Sequence, residues 1–140
     1  MIKNLLLIDD DETTLELIKL TVIRNRFAEN VITLKNGKEG VDYFQQLGTS
    51  QQGVVPDLIF LDIFMPVMDG WDFLDEFSQK YQSLYPNTPI CILTYSLEPE
   101  DQEKANEYSN IIYAWNKPLF VEDLENIKNH ERLKHHFVLA

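Results

Sequence analysis

The chain has 140 residues, with 23 Asp and Glu against 12 Lys and Arg and a formal net charge of −11. That length suits one domain with a sizeable core, and that charge argues against nucleic acid or an anionic membrane as direct partners, because both need a basic footprint. The lone cysteine, Cys91, rules out an internal disulfide and lies in an apolar run, where a thiol behaves as a small core residue. No apolar stretch approaches the ~20 residues that cross a bilayer. Met1-Ile-Lys-Asn-Leu5 enters a strand pattern at once, without signal-peptide character, so a cytoplasmic location is expected.

Leu5-Leu-Leu-Ile8 reads as a short buried strand that runs into Asp9-Asp10-Asp11-Glu12. A helix is predicted from about Asp11 to Phe27, with acidic residues in its first turn and Thr13 or Thr14 near the cap. Its apolar face holds Leu15, Ile18 and Val22, broadened by Leu20, Ile23 and Phe27. Val31 to Leu34 is a second strand. Asn36-Gly37 is a turn signal, and Val41, Phe44 and Leu47 mark a second helix closed by Gly48. Residues 49–53 are polar and loop-like.

Leu58-Ile-Phe-Leu-Asp62 is a third strand, buried on both faces and ending in a carboxylate. Asp69-Gly70 turns the chain into a third helix, in which Phe73, Leu74, Phe77 and Tyr81 keep helical spacing. Ile90 to Leu93 is the fourth strand, with Thr94 at its end. A polar, weakly held fourth helix is expected from Pro99 to about Tyr108. Ile111 to Trp115 is the fifth strand, followed by Asn116-Lys117-Pro118. Phe120, Leu124 and Ile127 share a face of a last helix running into His130 and Leu133. Strands alternating with helices imply an α/β fold with a parallel sheet covered on both faces.

In such a sheet the C-terminal strand ends share one edge. Asp9, Asp10, Asp62, Thr94 and Lys117 therefore converge. Three clustered carboxylates repel one another unless a cation lies among them, and an all-oxygen cluster favours Mg²⁺ or Mn²⁺ over Zn²⁺. Thr94 offers a hydroxyl and Lys117 a mobile point charge, both suited to phosphoryl oxygens. The set amounts to a phosphoryl-acceptor site with an aspartate nucleophile.

On these residues the chain resembles the receiver domain of a bacterial two-component response regulator. The matching motifs are Asp9-Asp10 after an apolar strand, Leu61-Asp62 followed by Met65-Pro66 and Asp69-Gly70, an apolar run ending in Thr94, and Lys117-Pro118. The resemblance covers residues 1–140 as a single receiver domain of the stand-alone, chemotaxis-regulator-like kind. It implies a flavodoxin-like doubly wound fold: five parallel strands in the order 2-1-3-4-5 with five helices.

It further implies that Asp62 takes a phosphoryl group from a sensor histidine kinase or phosphotransfer protein. Asp10 would bind Mg²⁺ directly, Asp9 mainly through water, and the Phe64 backbone carbonyl would complete the protein ligands. Lys117 would pair with the phosphoryl group, and Thr94 would bond it and shift inward. The face made by the fourth helix, fifth strand and fifth helix would then switch the binding of a downstream protein target. The chain would catalyse its own phosphorylation and dephosphorylation without being a turnover enzyme. No output domain follows in the sequence, so a partner would carry the signal, and a phosphate sink or relay role is equally open.

Three positions depart from the family pattern. The aromatic that usually stands three residues before the lysine is replaced by Ala114, flanked by Tyr113 and Trp115. The usually small residue after Thr94 is Tyr95. Phe64, two residues after Asp62, is apolar where a polar side chain often helps water attack. Phe64 and Tyr95 together predict restricted access and a long-lived phosphoaspartate.

Other readings compete. Asp9-Asp10-Asp11-Glu12-Thr13 also fits the Asp-x-Asp-x-Thr pattern of haloacid-dehalogenase-type phosphatases, with Asp9 as nucleophile and Asp11 as general acid. That reading leaves the Asp62 to Gly70 pattern unexplained and lacks a later acidic metal motif. A flavin-binding electron carrier is disfavoured because acidic residues follow the first strand, where a cofactor phosphate would sit. A degenerate receiver acting only as a binding module conflicts with the complete set of five residues. His130, His135 and His136, without matched ligand spacing, read as solvated side chains, and Trp71 and Trp115 as packing residues.

Overall fold

A computed structural model of the protein describes residues 1–49 and 53–138. The five strands are β1 (Ile2–Ile8), β2 (Ala28–Leu34), β3 (Leu58–Leu61), β4 (Ile90–Thr94) and β5 (Ile111–Asn116). The five helices are α1 (Glu12–Arg24), α2 (Gly37–Thr49), α3 (Gly70–Lys80), α4 (Pro99–Ala105) and α5 (Val121–Lys128), and a tight helical turn, Lys134–Phe137, follows. The strands form one sheet in the order β2-β1-β3-β4-β5, and every neighbouring pair is parallel. This is the flavodoxin-like arrangement expected from the sequence.

Two apolar layers hold the helices on the sheet. On one face α1 and α5 pack through Leu15, Ile18, Val22, Leu124 and Ile127 against Leu5, Leu7 and Phe60. On the other, α2, α3 and α4 pack through Phe44, Phe73, Phe77 and Ala105 against Leu6, Ile59 and Ile92. The second layer is aromatic: the Phe44 ring lies 5.0 Å from Phe77 and 6.3 Å from Phe73. Burying each such ring contributes roughly 1.5–3 kcal/mol. α4 presents Ala105 alone as a buried residue, which accords with its expected weak hold. Cys91 is fully buried in the core.

Several local expectations are corrected. Asp11, rather than a threonine, is the N-cap of α1: its side chain accepts from the Thr13 backbone N–H and the Thr14 hydroxyl. A carboxylate suits this end of the helix dipole better than a hydroxyl does. Leu20 and Ile23 do not broaden the α1 core face but stand exposed, and Phe27 packs from beyond the helix end. Gly48 lies inside α2 and does not close it; part of the loop expected at 49–53 falls outside the described residues. α4 stops at Ala105, and Phe120 is the exposed N-cap of α5 instead of a buried face residue.

Register aligns the strand ends. Ile8 pairs with Leu61, Leu61 with Ile92, and Thr94 with Asn116. The residues that follow, Asp9, Asp62 and Lys117, thus emerge along one edge with Thr94.

Candidate functional site

Asp9, Asp10 and Asp62 each bring a carboxylate oxygen within 4.8 Å of the other two. Asp9 and Asp62 are buried and Asp10 is exposed. Asp9 Oδ1 accepts from the Asp11 backbone N–H at 2.9 Å. Asp62 Oδ1 accepts from the Ile63 backbone N–H at 2.8 Å, which fixes the carboxylate and leaves Oδ2 toward Lys117. Lys117 Nζ pairs with Asp9 and stands 3.5 Å from Asp62 Oδ2. The Lys117 side chain is only 2% exposed, so its charge is shielded from solvent. The Lys117–Pro118 peptide is cis.

Burial pushes the Asp62 carboxyl above its ordinary range; Lys117 pulls it down and the negative charge of Asp9 pushes it up again. Three carboxylates facing one ammonium leave an excess of two negative charges. The donor set is all oxygen, opens to solvent at Asp10, and so suits a hard divalent cation.

Thr94 Oγ1 is buried without a hydrogen-bond partner. It lies near enough to Asp62 to oppose the burial that raises that carboxyl, without the geometry of a hydrogen bond. A buried hydroxyl left unpaired is costly unless something arrives to accept its proton. Phe64, Tyr95 and Ser96 line the rest of the cleft over these groups. The Phe64 and Tyr95 side chains are both exposed at its rim.

The loop after β3 is shaped by Asp69 and Gly70. Asp69 caps α3 by accepting from the Asp72 backbone N–H at 2.9 Å. Gly70 donates its N–H to the Ile63 carbonyl at 2.8 Å, drawing the helix start against the end of β3.

Ala114 faces the α4 side of the sheet, and its carbonyl accepts from Gln102 Nε2 at 3.2 Å. Tyr113 and Trp115 stack on each other with centroids 4.5 Å apart and pack on the opposite face, against the α1 and α5 layer. Alternation along the strand dictates this. Neither ring lies on the side of the sheet that Ala114 faces.

Two contacts have no signature in the sequence. Lys117 Nζ lies 4.8 Å from the centroid of the Tyr95 ring. Trp71 stacks on Tyr108 at 6.0 Å and carries Lys104 Nζ at 4.6 Å, joining α3 to the end of α4.

Comparison with known proteins decides the family. The response regulator receiver domain family matches residues 5–127. The chain belongs to that family. This receiver is 29% identical over 124 residues to the probable methanogenesis regulatory protein FilR2 of Methanothrix harundinacea, covering 86% of this chain and 76% of that protein. It is 38% identical over 99 residues to the cell cycle transcriptional regulator CtrA of Caulobacter vibrioides, covering 71% of this chain but only 37% of CtrA. A crystal structure of a two-component response regulator from Cytophaga hutchinsonii superposes with a TM-score of 0.83 at 31% identity, covering 91% of this chain and 95% of that one.

The receiver is a phosphoacceptor signalling module of the two-component type, and the haloacid-dehalogenase-like alternative gains no support from these relatives. Among the described residues no helix is long and apolar enough to cross a membrane.

Proposed function

We propose that residues 1–140 act as one receiver domain whose phosphoryl acceptor is Asp62. The observation that carries this is the meeting of a fixed Asp62 carboxylate, the Lys117 ammonium and the unpartnered Thr94 hydroxyl in one cleft. Asp62 Oδ2 attacks the phosphorus of a phosphohistidine; the new bond is an acyl phosphate, and the P–N bond breaks with the electron pair returning to the imidazole of the donor. Lys117 leaves Asp9 for a phosphoryl oxygen, and Thr94 donates its hydroxyl to another. Asp9, Asp10 and the Phe64 carbonyl would hold Mg²⁺ or Mn²⁺. Such an ion would offset the negative charge shared by the carboxylates and the incoming phosphoryl group.

The donor would be a sensor histidine kinase or a phosphotransfer protein. Movement of Thr94 toward the phosphoryl group would loosen the loop that carries α4, where Leu97 is tied to Asn116 Oδ1 at 3.0 Å. The face of α4, β5 and α5 would then present a changed surface to a downstream protein. Without an aromatic at Ala114, that change would travel through the α4 mooring itself. The fold and the acidic balance suit cytoplasmic signalling to protein partners, with neither nucleic acid nor membrane bound directly.

Borohydride reduction of the chain after treatment with acetyl phosphate and Mg²⁺ tests the assignment. Conversion of Asp62 to homoserine supports it. Conversion of Asp9 instead would reject it.

A further inference from the structure

Lys117 is held from two sides. Toward the site, its ammonium pairs with Asp9 and faces Asp62. On the solvent side, the Tyr95 ring covers it at 4.8 Å. Tyr95 is 65% exposed, whereas the Lys117 side chain is 2% exposed. The ring is thus a cover with one face on the ammonium and much of its surface in water.

An ammonium carries three N–H donors; Asp9 accepts from it, while Asp62 Oδ2 stands farther off at 3.5 Å. A buried cation with donors to spare is costly unless another negative surface meets it. The face of an aromatic ring carries partial negative charge and attracts a cation, most strongly when the cation is stripped of water. An aliphatic side chain of comparable bulk would exclude water equally well but would offer no such charge.

We propose that Tyr95 is a positioning residue for phosphoryl transfer, holding the Lys117 ammonium dry and aimed between Asp9 and Asp62 through the face of its ring. This rests on Asp62 being the phosphoryl acceptor. It goes beyond the restricted access expected from the bulk of Tyr95, because it depends on the π face and not on volume. The ammonium then meets the incoming phosphoryl oxygens without first shedding water, and electrostatic attraction is stronger in that dry setting.

Comparing Tyr95→Phe with Tyr95→Leu separates the two roles. The first readout is the NMR shift of the Lys117 ε-methylene protons in metal-free protein, assigned by their loss in Lys117→Met. The second is the rate of phosphorylation by acetyl phosphate with Mg²⁺. Wild type and Tyr95→Phe should show an upfield ring-current shift and similar rates. Tyr95→Leu should lose the shift and slow by roughly three- to tenfold, the rate equivalent of one such contact. Equal rates in Tyr95→Leu and wild type, or no upfield shift in wild type, would overturn the proposal while leaving Asp62 as acceptor. A wild type with the shift but no labelling would overturn the acceptor assignment and the proposal together.

Discussion

Gly70 lies so close to Asp62 that a Cβ at position 70 would stand 2.4 Å from the Asp62 carbonyl oxygen. The start of α3 and the end of β3 therefore meet backbone to backbone, and the distance between them sets where the Asp62 carboxylate sits. A methyl group would have to push the strand end or the helix away. Gly70→Ala should destabilise the protein by about 3 kcal/mol, measured by urea unfolding, and slow phosphorylation of whatever remains folded. An unchanged urea midpoint would show that the contact is slack.

Val67 sits at the tip of the same loop with φ of 71° and is 85% exposed. A β-branched residue in the left-handed region is strained, and almost nothing packs on this side chain to offset that. Val67→Gly should therefore stabilise the fold by roughly 1 kcal/mol in the same unfolding assay. Destabilisation would mean that Val67 makes contacts that outweigh the strain.

The C-terminal turn adds a pH dependence. The Met1 amino group donates to the His136 carbonyl at 2.5 Å, and Phe137 packs on Phe27 with centroids 5.4 Å apart. Burial lowers the His136 pKa below 6.5, helped by His135 and the N-terminal charge, while Asp57 opposes them. The unfolded chain then binds a proton that the folded chain resists. Stability contributed by this turn is complete above 6.5 and falls as the pH drops below it, until His136 is protonated in the folded state too. His136→Gln should flatten that part of the profile between pH 8 and 5. An unaltered slope would place the acid sensitivity elsewhere.

Phe64 stands 55% exposed on the cleft above Asp62 and offers no hydrogen bond to an attacking water. The phosphoaspartate should accordingly be long-lived, and Phe64→Asn should speed its hydrolysis by roughly threefold or more, followed as loss of the phosphorylated mass over time. A wild-type lifetime of seconds, unaffected by the substitution, would contradict this.

The main architecture was legible because buried parallel strands read as unbroken apolar runs, and four of them end in a polar residue with no reason to be there structurally. Asp9, Asp62, Thr94 and Lys117 stand out by their positions at these strand ends alone. The strand order needed the family resemblance. Helix limits shifted where capping decided them: Asp11 and Thr14 compete for the same end of α1, and only the hydrogen bonds tell which one accepts. Leu20, Ile23 and Phe120 look like core residues by type, yet Leu20 and Ile23 lie on the solvent side of α1 and Phe120 stands exposed at the N-cap of α5. The fate of the aromatics beside Ala114 follows from strand alternation, which places Tyr113 and Trp115 together and away from α4. The contact between Tyr95 and Lys117 joins two loops and has no signature in local spacing.

Asp62 as phosphoryl acceptor is most sharply tested by intact mass after incubation with Mg²⁺ and acetyl phosphate, on wild type, Asp62→Asn and Asp9→Asn. Wild type should gain one phosphoryl group, Asp62→Asn none, and Asp9→Asn should accumulate it more slowly, because loss of Asp9 weakens the metal site but leaves the nucleophile in place. Labelling that survives in Asp62→Asn and disappears in Asp9→Asn would contradict this and make Asp9 the nucleophile.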